Sequence, residues 1–362
     1  MPKNVYIHIP FCKSKCKYCS FVSFPKIELK EQYINALLKE IQAKYQGEQL
    51  NTLYFGGGTP SLLSIKDFSN ILKLFNFSVK TEITTELNPE NINFKYLSEL
   101  KKLGINRLSL GCQTFDDKIL KLIGRRHSSN DVINAVKLAQ KAGFDNISLD
   151  FIYGLPEQQI ENFENDLQKA IALDIQHISL YGLKIDNDCF FYNNPPKNLP
   201  NEDTQADMYL KAITTTTKQG FEHYEISNFS KKGFYSEHNL NYWNNNTYYG
   251  FGAAAHGYEN NTRYYNSTDL EEYINNPTTH KASHKLSLQE QLEEEIFLGF
   301  RKMAGINIQK INQKFNIDFL KKYATTLNKY ISYKYLKETN TGFMLTDNGI
   351  LISNTILAEF LE

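Results

Sequence analysis

The first half of the chain alternates between short apolar runs and longer segments whose apolar side chains recur at helical spacing. Residues 5–11 and 50–55 are short, mostly apolar runs of the kind that form buried strands. Between them, apolar side chains in residues 28–45 recur every three or four positions, which predicts a helix that ends near Gly47. The alternation continues with predicted strands at 82–87, 107–110, 146–151 and 177–181, and with predicted helices at 64–75, 94–103, 117–123, 130–142 and 160–173.

This alternation repeats about six times, which requires a parallel sheet with helices packed outside it. The predicted fold class is therefore α/β, an incomplete (β/α)6 barrel. In such a barrel functional side chains lie at the carboxyl ends of the strands, because the loops there surround the mouth.

The pattern changes near residue 285, where a small C-terminal domain is predicted. Ser287 and Glu290 form a capping-box signal before a helix, and further helices are predicted at 308–315 and 319–329. A turn at 339–342 separates short strands before a last helix at 348–360. We expect an α+β, winged-helix-like domain at 285–362, after a barrel at 1–235 and a connecting segment at 236–284. A role in reading DNA is the alternative, but covering the open side of the barrel is favoured.

Composition narrows the class of protein. The 362 residues include 40 Lys and Arg and 40 Asp and Glu, so bulk charge gives no reason to expect a nucleic-acid partner. No apolar run approaches the length that spans a membrane, and the chain enters a strand pattern without a basic and then hydrophobic leader. We therefore expect a cytoplasmic protein.

Three cysteines stand close together directly after the first apolar run. Cys12, Cys16 and Cys19 have the spacing CxxxCxxC, and a disulfide would leave one of them unpaired. A structural zinc site needs four protein ligands, and no second pair of Cys or His follows. A 4Fe-4S cluster fits better, because three thiolates leave one of its irons open for another ligand.

Polar residues end three of the predicted strands. Glu86 ends the third strand, Gln113 follows the fourth and Asp150 ends the fifth. A charged side chain at the end of a buried strand costs desolvation unless it has a partner, so this arrangement favours a ligand over simple capping or turn roles. Glycines at 56–58, after the second strand, would let a backbone approach a ligand and offer free N–H groups to a carboxylate or phosphate.

The cysteine spacing at the end of a first strand resembles that of the radical S-adenosylmethionine (SAM) superfamily. The resemblance implies that the open iron binds the amino and carboxylate groups of SAM, and that an electron from the cluster can release a 5'-deoxyadenosyl radical. Further motifs narrow it to the family of anaerobic coproporphyrinogen III oxidase (HemN) and the haem chaperone HemW. The matching segments are YIHIPFCKSKCKYC, YFGGGTPS, TTELNPE, LGCQTFDDKILKLIGRRH and ISLDFIYGLP.

The family resemblance implies a set of site residues. The cluster ligands are Cys12, Cys16 and Cys19. The residues that flank the cluster and SAM or contact SAM are Tyr6, Tyr18, Gly57, Gly58, Thr59, Glu86, Gln113, Arg125 and Asp150. Arg125 suits a carboxylate partner, since its planar fork can bind at two points.

Three features resemble the chaperone branch and not the oxidases. The oxidases carry a further cysteine where this chain has Phe21, and they have an extension before the cluster loop, whereas Cys12 is close to the start here. The stretch HNLNYW at 238–243 matches the HNxxYW motif of the chaperone and implies His238 as a haem ligand, with Tyr242 and Trp243 as flat apolar surface. A hydrogen-bonded core or surface histidine is the alternative. The small residues at 249–257 suggest a loop that closes on a hydrophobic ligand.

The resemblance implies a haem chaperone that binds a 4Fe-4S cluster, SAM and haem and hands haem to respiratory haem proteins. It leaves open whether the protein is an enzyme, because the alternative is oxygen-independent coproporphyrinogen III oxidation in porphyrin biosynthesis, and a third is radical chemistry on another tetrapyrrole. The implied partners are haem, its acceptors and an electron donor for the cluster. Peripheral membrane contact and a homodimer are further expectations.

Overall fold

The computed structural model describes residues 1–361, apart from the side chain of Asn91, so Glu362 of the predicted C-terminal domain lies outside the described residues. The predicted alternation of strands and helices is present in the first half of the chain. Its elements are β1 (Asn4–Ile9), α1 (Lys30–Lys44), β2 (Thr52–Gly57), α2 (Ile65–Leu72), β3 (Glu82–Leu87), α3 (Phe94–Lys102), β4 (Arg107–Gln113), α4 (Asp117–Leu122), α5 (Ser129–Lys141), β5 (Ile147–Tyr153), α6 (Ile160–Ala172) and β6 (His177–Gly182).

Strands β1 to β6 pair in parallel with their sequence neighbours. Tyr6 lies opposite Tyr54, and Glu86 lies opposite Ser109. Side chains from β2 to β6 line one common cavity, so the sheet curves into the predicted incomplete barrel.

Strand β1 shows how alternation sorts side chains between the two faces of this sheet. Val5, Ile7 and Ile9 are fully buried in the hydrophobic core under the helices. Tyr6 and His8 project to the other face, where Tyr6 stacks on Tyr54 of β2. The apolar residues therefore build the core and the polar residues line the interior of the barrel.

The next segment adds strands to both edges of the barrel sheet. It contains α7 (Phe190–Asn193), α8 (Glu202–Lys218), β7 (Glu222–Glu225), β8 (Asn228–Ser230), α9 (Glu237–Trp243) and β9 (Tyr249–Phe251). Strand β8 pairs antiparallel with β6, and β9 pairs in parallel with β1. Within the described residues the strand order is β7-β8-β6-β5-β4-β3-β2-β1-β9.

The segment 249–257 was expected to be a loop because its residues are small. Its first three residues instead form β9, a strand of the barrel sheet. A Cβ atom on Gly250 would lie 1.9 Å from the carbonyl oxygen of His256. Close backbone packing accounts for this glycine without a ligand.

The rest of the chain forms a small sheet and the C-terminal domain. The small sheet contains β10 (His256–Glu259), β11 (Thr262–Tyr265) and β12 (Ala282–Lys285), with α10 (Leu270–Asn275) inserted. The C-terminal elements are α11 (Leu288–Gly299), β13 (Ile306–Asn307), α12 (Ile308–Phe315), α13 (Phe319–Lys322), α14 (Ala324–Ser332), β14 (Leu336–Glu338), β15 (Gly342–Leu345), α15 (Asp347–Leu351) and α16 (Ser353–Ala358). The predicted capping box of Ser287 and Glu290 is present, whereas the predicted last helix is split into two. No helix among the described residues has the length and apolar character needed to cross a bilayer.

Candidate cluster and cofactor site

A cavity of about 420 Å³ lies at the carboxyl ends of the barrel strands. It brings together residues from the cysteine loop and from β2 to β6 that are up to 170 positions apart, as Cys12 and Gly182 are. The residues named from the sequence that line it are Cys12, Cys16, Tyr18, Cys19, Gly57, Gly58, Thr59, Glu86, Gln113, Arg125 and Asp150.

The cysteine loop is fixed to the barrel by backbone hydrogen bonds. The N–H of Cys12 donates to the carbonyl of Phe24, and the N–H of Lys17 donates to the carbonyl of Ile123. The three thiols are free and partly exposed. Burial raises the pKa of the Cys19 thiol to about 11 and also raises that of Cys12, so their thiolate forms need nearby positive charge.

The donor set fits a cluster better than a single metal ion. Among residues 1–361, no three His, Cys, Asp or Glu side chains converge closely enough to hold one ion. In a 4Fe-4S cluster each thiolate binds a different iron, so the thiols need not converge on one point. Three thiols on one loop, facing a shared cavity, meet that requirement.

Glu86 and Asp150 bring two buried carboxyl groups to the wall of this cavity. The Glu86 carboxylate accepts hydrogen bonds from the Tyr54 hydroxyl at 2.9 Å and from the Gly57 N–H at 3.2 Å. Burial, together with the neighbouring Asp150, raises the pKa of Glu86 to about 7. Burial also raises the pKa of Asp150, although the Ser109 hydroxyl donates to its carboxylate at 2.7 Å. Two buried carboxylates with neutral hydrogen-bond donors favour a cationic ligand such as a sulfonium or an ammonium group.

Gln113 carries an unused acceptor in the same cavity. Its backbone has φ of 62°, a left-handed conformation that is uncommon for a residue with a side chain, and the register of β4 against β5 shifts between Gly111 and Gln113. Its side-chain oxygen is buried without a hydrogen-bond partner. A buried acceptor without a partner, on a strained backbone at a cavity wall, fits a ligand-binding role.

The glycine turn has a different physical role from the one we expected. The N–H of Gly57 donates to Glu86, and the N–H of Gly58 donates to the carbonyl of Ile9 at 2.8 Å, so neither N–H is free for a carboxylate. A Cβ atom on Gly57 would lie 2.6 Å from the ring of His8, and one on Gly58 would lie 2.6 Å from the carbonyl oxygen of Phe11. These glycines let β2 pack against β1 and the start of the cysteine loop while they line the cavity.

His8 was not identified from the sequence. Its Nδ1 lies 3.0 Å from the Tyr6 hydroxyl, and its Nε2 lies 2.9 Å from the carbonyl oxygen of Val22 in the cysteine loop. Its position between Ile7 and Ile9 in an alternating strand was the available signal, because it predicts a side chain on the barrel interior. Tyr6 is not among the lining residues of the cavity, but its ring stacks on Tyr54, which is one of them.

His238 lies away from the cavity, inside the barrel beneath Tyr54, on which its ring stacks at 5.0 Å. The Thr52 hydroxyl donates to Asn4 and lies 2.7 Å from His238 Nδ1, so Nδ1 carries a proton and donates to Thr52. Nε2 then accepts from the Tyr242 hydroxyl at 2.8 Å. Burial and the charge of Arg107 lower the pKa of His238 to about 3. The geometry therefore places His238 in a core hydrogen-bond network, with neither ring nitrogen open to an iron atom.

Tyr242 and Trp243 face a second cavity, of about 600 Å³, between helix α9 and helix α11 of the C-terminal domain. We call it the interdomain cavity. Its lining residues include the aromatic side chains of Tyr242, Trp243, Tyr248 and Phe297, and also Arg263. The sequence motif HNxxYW is thus divided, with the histidine directed into the barrel and the aromatic pair lining the interdomain cavity.

Comparison with known proteins gives consistent relationships. The family model of the radical SAM superfamily matches residues 6–170, and the HemN C-terminal domain model matches residues 286–352. Proteins named heme chaperone HemW from Lactococcus lactis and Bacillus subtilis are 38% and 36% identical to this chain. The first match covers 99% of this chain and 97% of that protein, and the second covers 99% of each. The structure of coproporphyrinogen III oxidase (HemN) from Escherichia coli superposes with a TM-score of 0.87 over 99% of this chain and 90% of that chain, at 22% identity, which indicates a shared fold.

Proposed function

Because this chain belongs to the HemW family of the radical SAM superfamily, we propose that it is a haem chaperone, which binds a 4Fe-4S cluster, SAM and haem and delivers haem to respiratory haem proteins. The observation that carries the proposal is similarity over nearly the whole length of relatives named for this function. Cytoplasmic location, an electron donor for the cluster, peripheral membrane contact and a homodimer are parts of the same proposal.

The cavity at the barrel mouth would hold the cluster and SAM. Cys12, Cys16 and Cys19 would bind the cluster, which when bound supplies an open iron for SAM and an electron. The carboxylates of Glu86 and Asp150 would neutralise the cationic groups of SAM, and the unpaired oxygen of Gln113 would accept a hydrogen bond from it.

We propose the interdomain cavity as the haem site. Its volume and its aromatic side chains suit a flat apolar ligand, and Tyr242 and Trp243 would provide the contacts that the family resemblance implies. His238 would bind iron only if its hydrogen bond with Tyr242 broke, so we assign it the role of holding Tyr242 in place.

An anaerobic assay tests the proposal against the oxidase alternative. Cluster-reconstituted protein is mixed with SAM, a low-potential reductant and coproporphyrinogen III, while haem binding is followed in parallel by the Soret band. We expect one haem bound per chain and no protoporphyrinogen IX. Formation of protoporphyrinogen IX with 5'-deoxyadenosine over many turnovers would make the protein an oxidase.

Haem transfer to an acceptor is measured by mixing the haem-loaded protein with the apo form of a respiratory haem protein. We expect the Soret band to change to that of the acceptor, faster than with free haem at the same concentration. Retention of haem by the loaded protein would contradict the delivery part of the proposal.

A further inference from the structure

His127 is a buried histidine that lies beside Arg125, and neither the family resemblance nor the strand-end pattern identified it. Its side chain is fully enclosed next to the wall of the cluster cavity. The Nδ1 atom lies 3.3 Å from Nε of Arg125, and the Nε2 atom lies 3.2 Å from the carbonyl oxygen of Cys112. The imidazole therefore bridges the backbone of β4 and the guanidinium group.

These two contacts determine the tautomer of His127. A carbonyl oxygen can only accept, so the proton is on Nε2, and the lone pair of Nδ1 accepts from the N–H of Arg125. The nearest oxygen of Glu90 is 3.9 Å from Nδ1, which is beyond hydrogen-bond distance. Burial, followed by the charge of Arg125, lowers the pKa of His127 to about 4, in agreement with a neutral ring.

The other donors of Arg125 are also directed at protein atoms. Nη2 donates to the side-chain oxygen of Asn88 at 2.9 Å and to the carbonyl of Gly111 at 3.1 Å. Nη1 donates to the sulfur of Cys16 at 3.6 Å. A guanidinium group has five N–H bonds, so one N–H of Nη1 is left for a ligand. We expected Arg125 to bind a carboxylate through two N–H groups. Only one N–H is free for a ligand, because the others donate to Cys16, His127 and the cavity wall.

We infer that His127 is a positioning residue, which holds the Arg125 guanidinium against the sulfur of Cys16 and thereby raises the reduction potential of the cluster. The inference rests on the proposed function, in which Cys16 is a cluster ligand. A positive hydrogen-bond donor at a ligand sulfur stabilises the reduced cluster, because reduction adds negative charge. Without the acceptor at Nδ1, the guanidinium loses the contact that fixes its Nε edge.

Two substitutions, each made in the full chain, distinguish the hydrogen bond of His127 with Arg125 from its hydrogen bond with Cys112. His127→Gln places an amide N–H near the position of Nε2, which keeps the bond to Cys112 but removes the acceptor for Arg125. His127→Asn places an amide oxygen near the position of Nδ1, which keeps that acceptor, and so serves as the conservative control. Both proteins are reconstituted anaerobically, and their iron and sulfide contents are measured first.

The readout is the midpoint potential of the cluster, from a redox titration followed by electron paramagnetic resonance without SAM. We expect H127Q to lower the equilibrium constant for reduction about tenfold, which is about 59 mV for one electron, and H127N to stay within about threefold of the parent protein. Arg125→Lys should lower the potential as well, and adding H127Q to R125K should have no further effect.

The outcomes are distinguishable. Equal potentials of H127Q and the parent protein, each with a full cluster, would overturn the inference, as would independent shifts from H127Q and R125K. If H127Q assembles no cluster, an unchanged potential in R125K overturns the inference, because the guanidinium would then have no effect on the cluster. Failure of the parent protein itself to assemble a cluster would instead refute the proposed function.

Discussion

At the scale of single residues, Glu86 is a cavity carboxyl group whose pKa lies near neutrality, and Asp150 is its acidic neighbour. Both line one cavity, burial raises the pKa of each carboxyl group, and the charge of Asp150 raises the pKa of Glu86 further. A cationic ligand removes that cost, because it pairs with the ionised form. Binding of a cation and loss of the Glu86 proton are therefore coupled.

This coupling predicts how SAM affinity depends on pH. Glu86 has a raised pKa of about 7 in the free protein, so it is partly protonated at neutral pH and must lose its proton to pair with a cation. We expect the affinity to rise with pH up to about 7, by as much as tenfold per pH unit, and then to level off.

Isothermal titration calorimetry of the cluster-loaded protein with SAM between pH 6 and pH 8.5 (a range chosen around the pKa of about 7) would measure this dependence. Glu86→Gln should weaken binding and remove most of the slope, with Glu28→Gln, an exposed carboxylate, as the control. An affinity that is flat with pH in the parent protein would show that Glu86 does not face the cation.

At the scale of elements, helix α9 is anchored by one carboxylate. Glu82, at the start of β3, accepts hydrogen bonds from the backbone N–H groups of Glu237 and His238, both at 3.0 Å. These are among the N–H groups that a helix leaves unpaired at its start. The contact fixes the helix that carries His238 and the aromatic pair against the amino ends of the barrel strands.

Glu82→Gln should destabilise the protein by about 2 kcal/mol, because an amide group turns a donor towards a backbone N–H and removes a charged acceptor. The measurement is chemical denaturation in urea, followed by circular dichroism. Glu237→Gln, on the exposed side of the same helix, is the matched control and should change the free energy of unfolding by less than about 0.5 kcal/mol. Equal effects of the two substitutions would refute the anchoring role.

At the scale of the whole molecule, the two cavities are separated by the interior of the barrel. The cluster cavity lies at the carboxyl ends of the strands, and the interdomain cavity lies beyond α9, bounded by α11 of the C-terminal domain. The C-terminal domain thus completes the proposed haem site. Haem binding and cluster binding should then be separable by mutation.

Phe297→Ala, in the wall of the interdomain cavity formed by α11, tests this separation. We expect the affinity for haem to fall about tenfold, or about 1.4 kcal/mol, because an aromatic wall is lost, while cluster content stays unchanged. Leu288→Ala, an exposed residue of the same helix, is the control. Tyr181 of β6 lines the cluster cavity. Unchanged haem affinity in Phe297→Ala, together with weaker haem binding in Tyr181→Ala, would move the haem site to the barrel mouth.

The sequence by itself determined the alternation, the fold class and most of the cluster cavity. Strand β3 has the predicted bounds, and Glu86, Gln113 and Asp150 meet because the carboxyl ends of parallel strands share one edge of a sheet. These features depend on residues that are close together in the sequence, so the spacing of apolar and polar residues predicts them. The remaining cavity residues were identified from the family motifs.

Tertiary structure alone decided which distant segments meet. The pairing of β9 with β1, the contact of His238 with Thr52 across 186 positions and the contact of Arg125 with Cys16 across 109 positions have no local signature. They depend on how the curved, open sheet packs against the rest of the chain, so no periodicity predicts them. For this reason the sequence predicted that the HNxxYW motif forms one haem site. In the fold, its histidine lies inside the barrel and its aromatic pair lines a separate cavity.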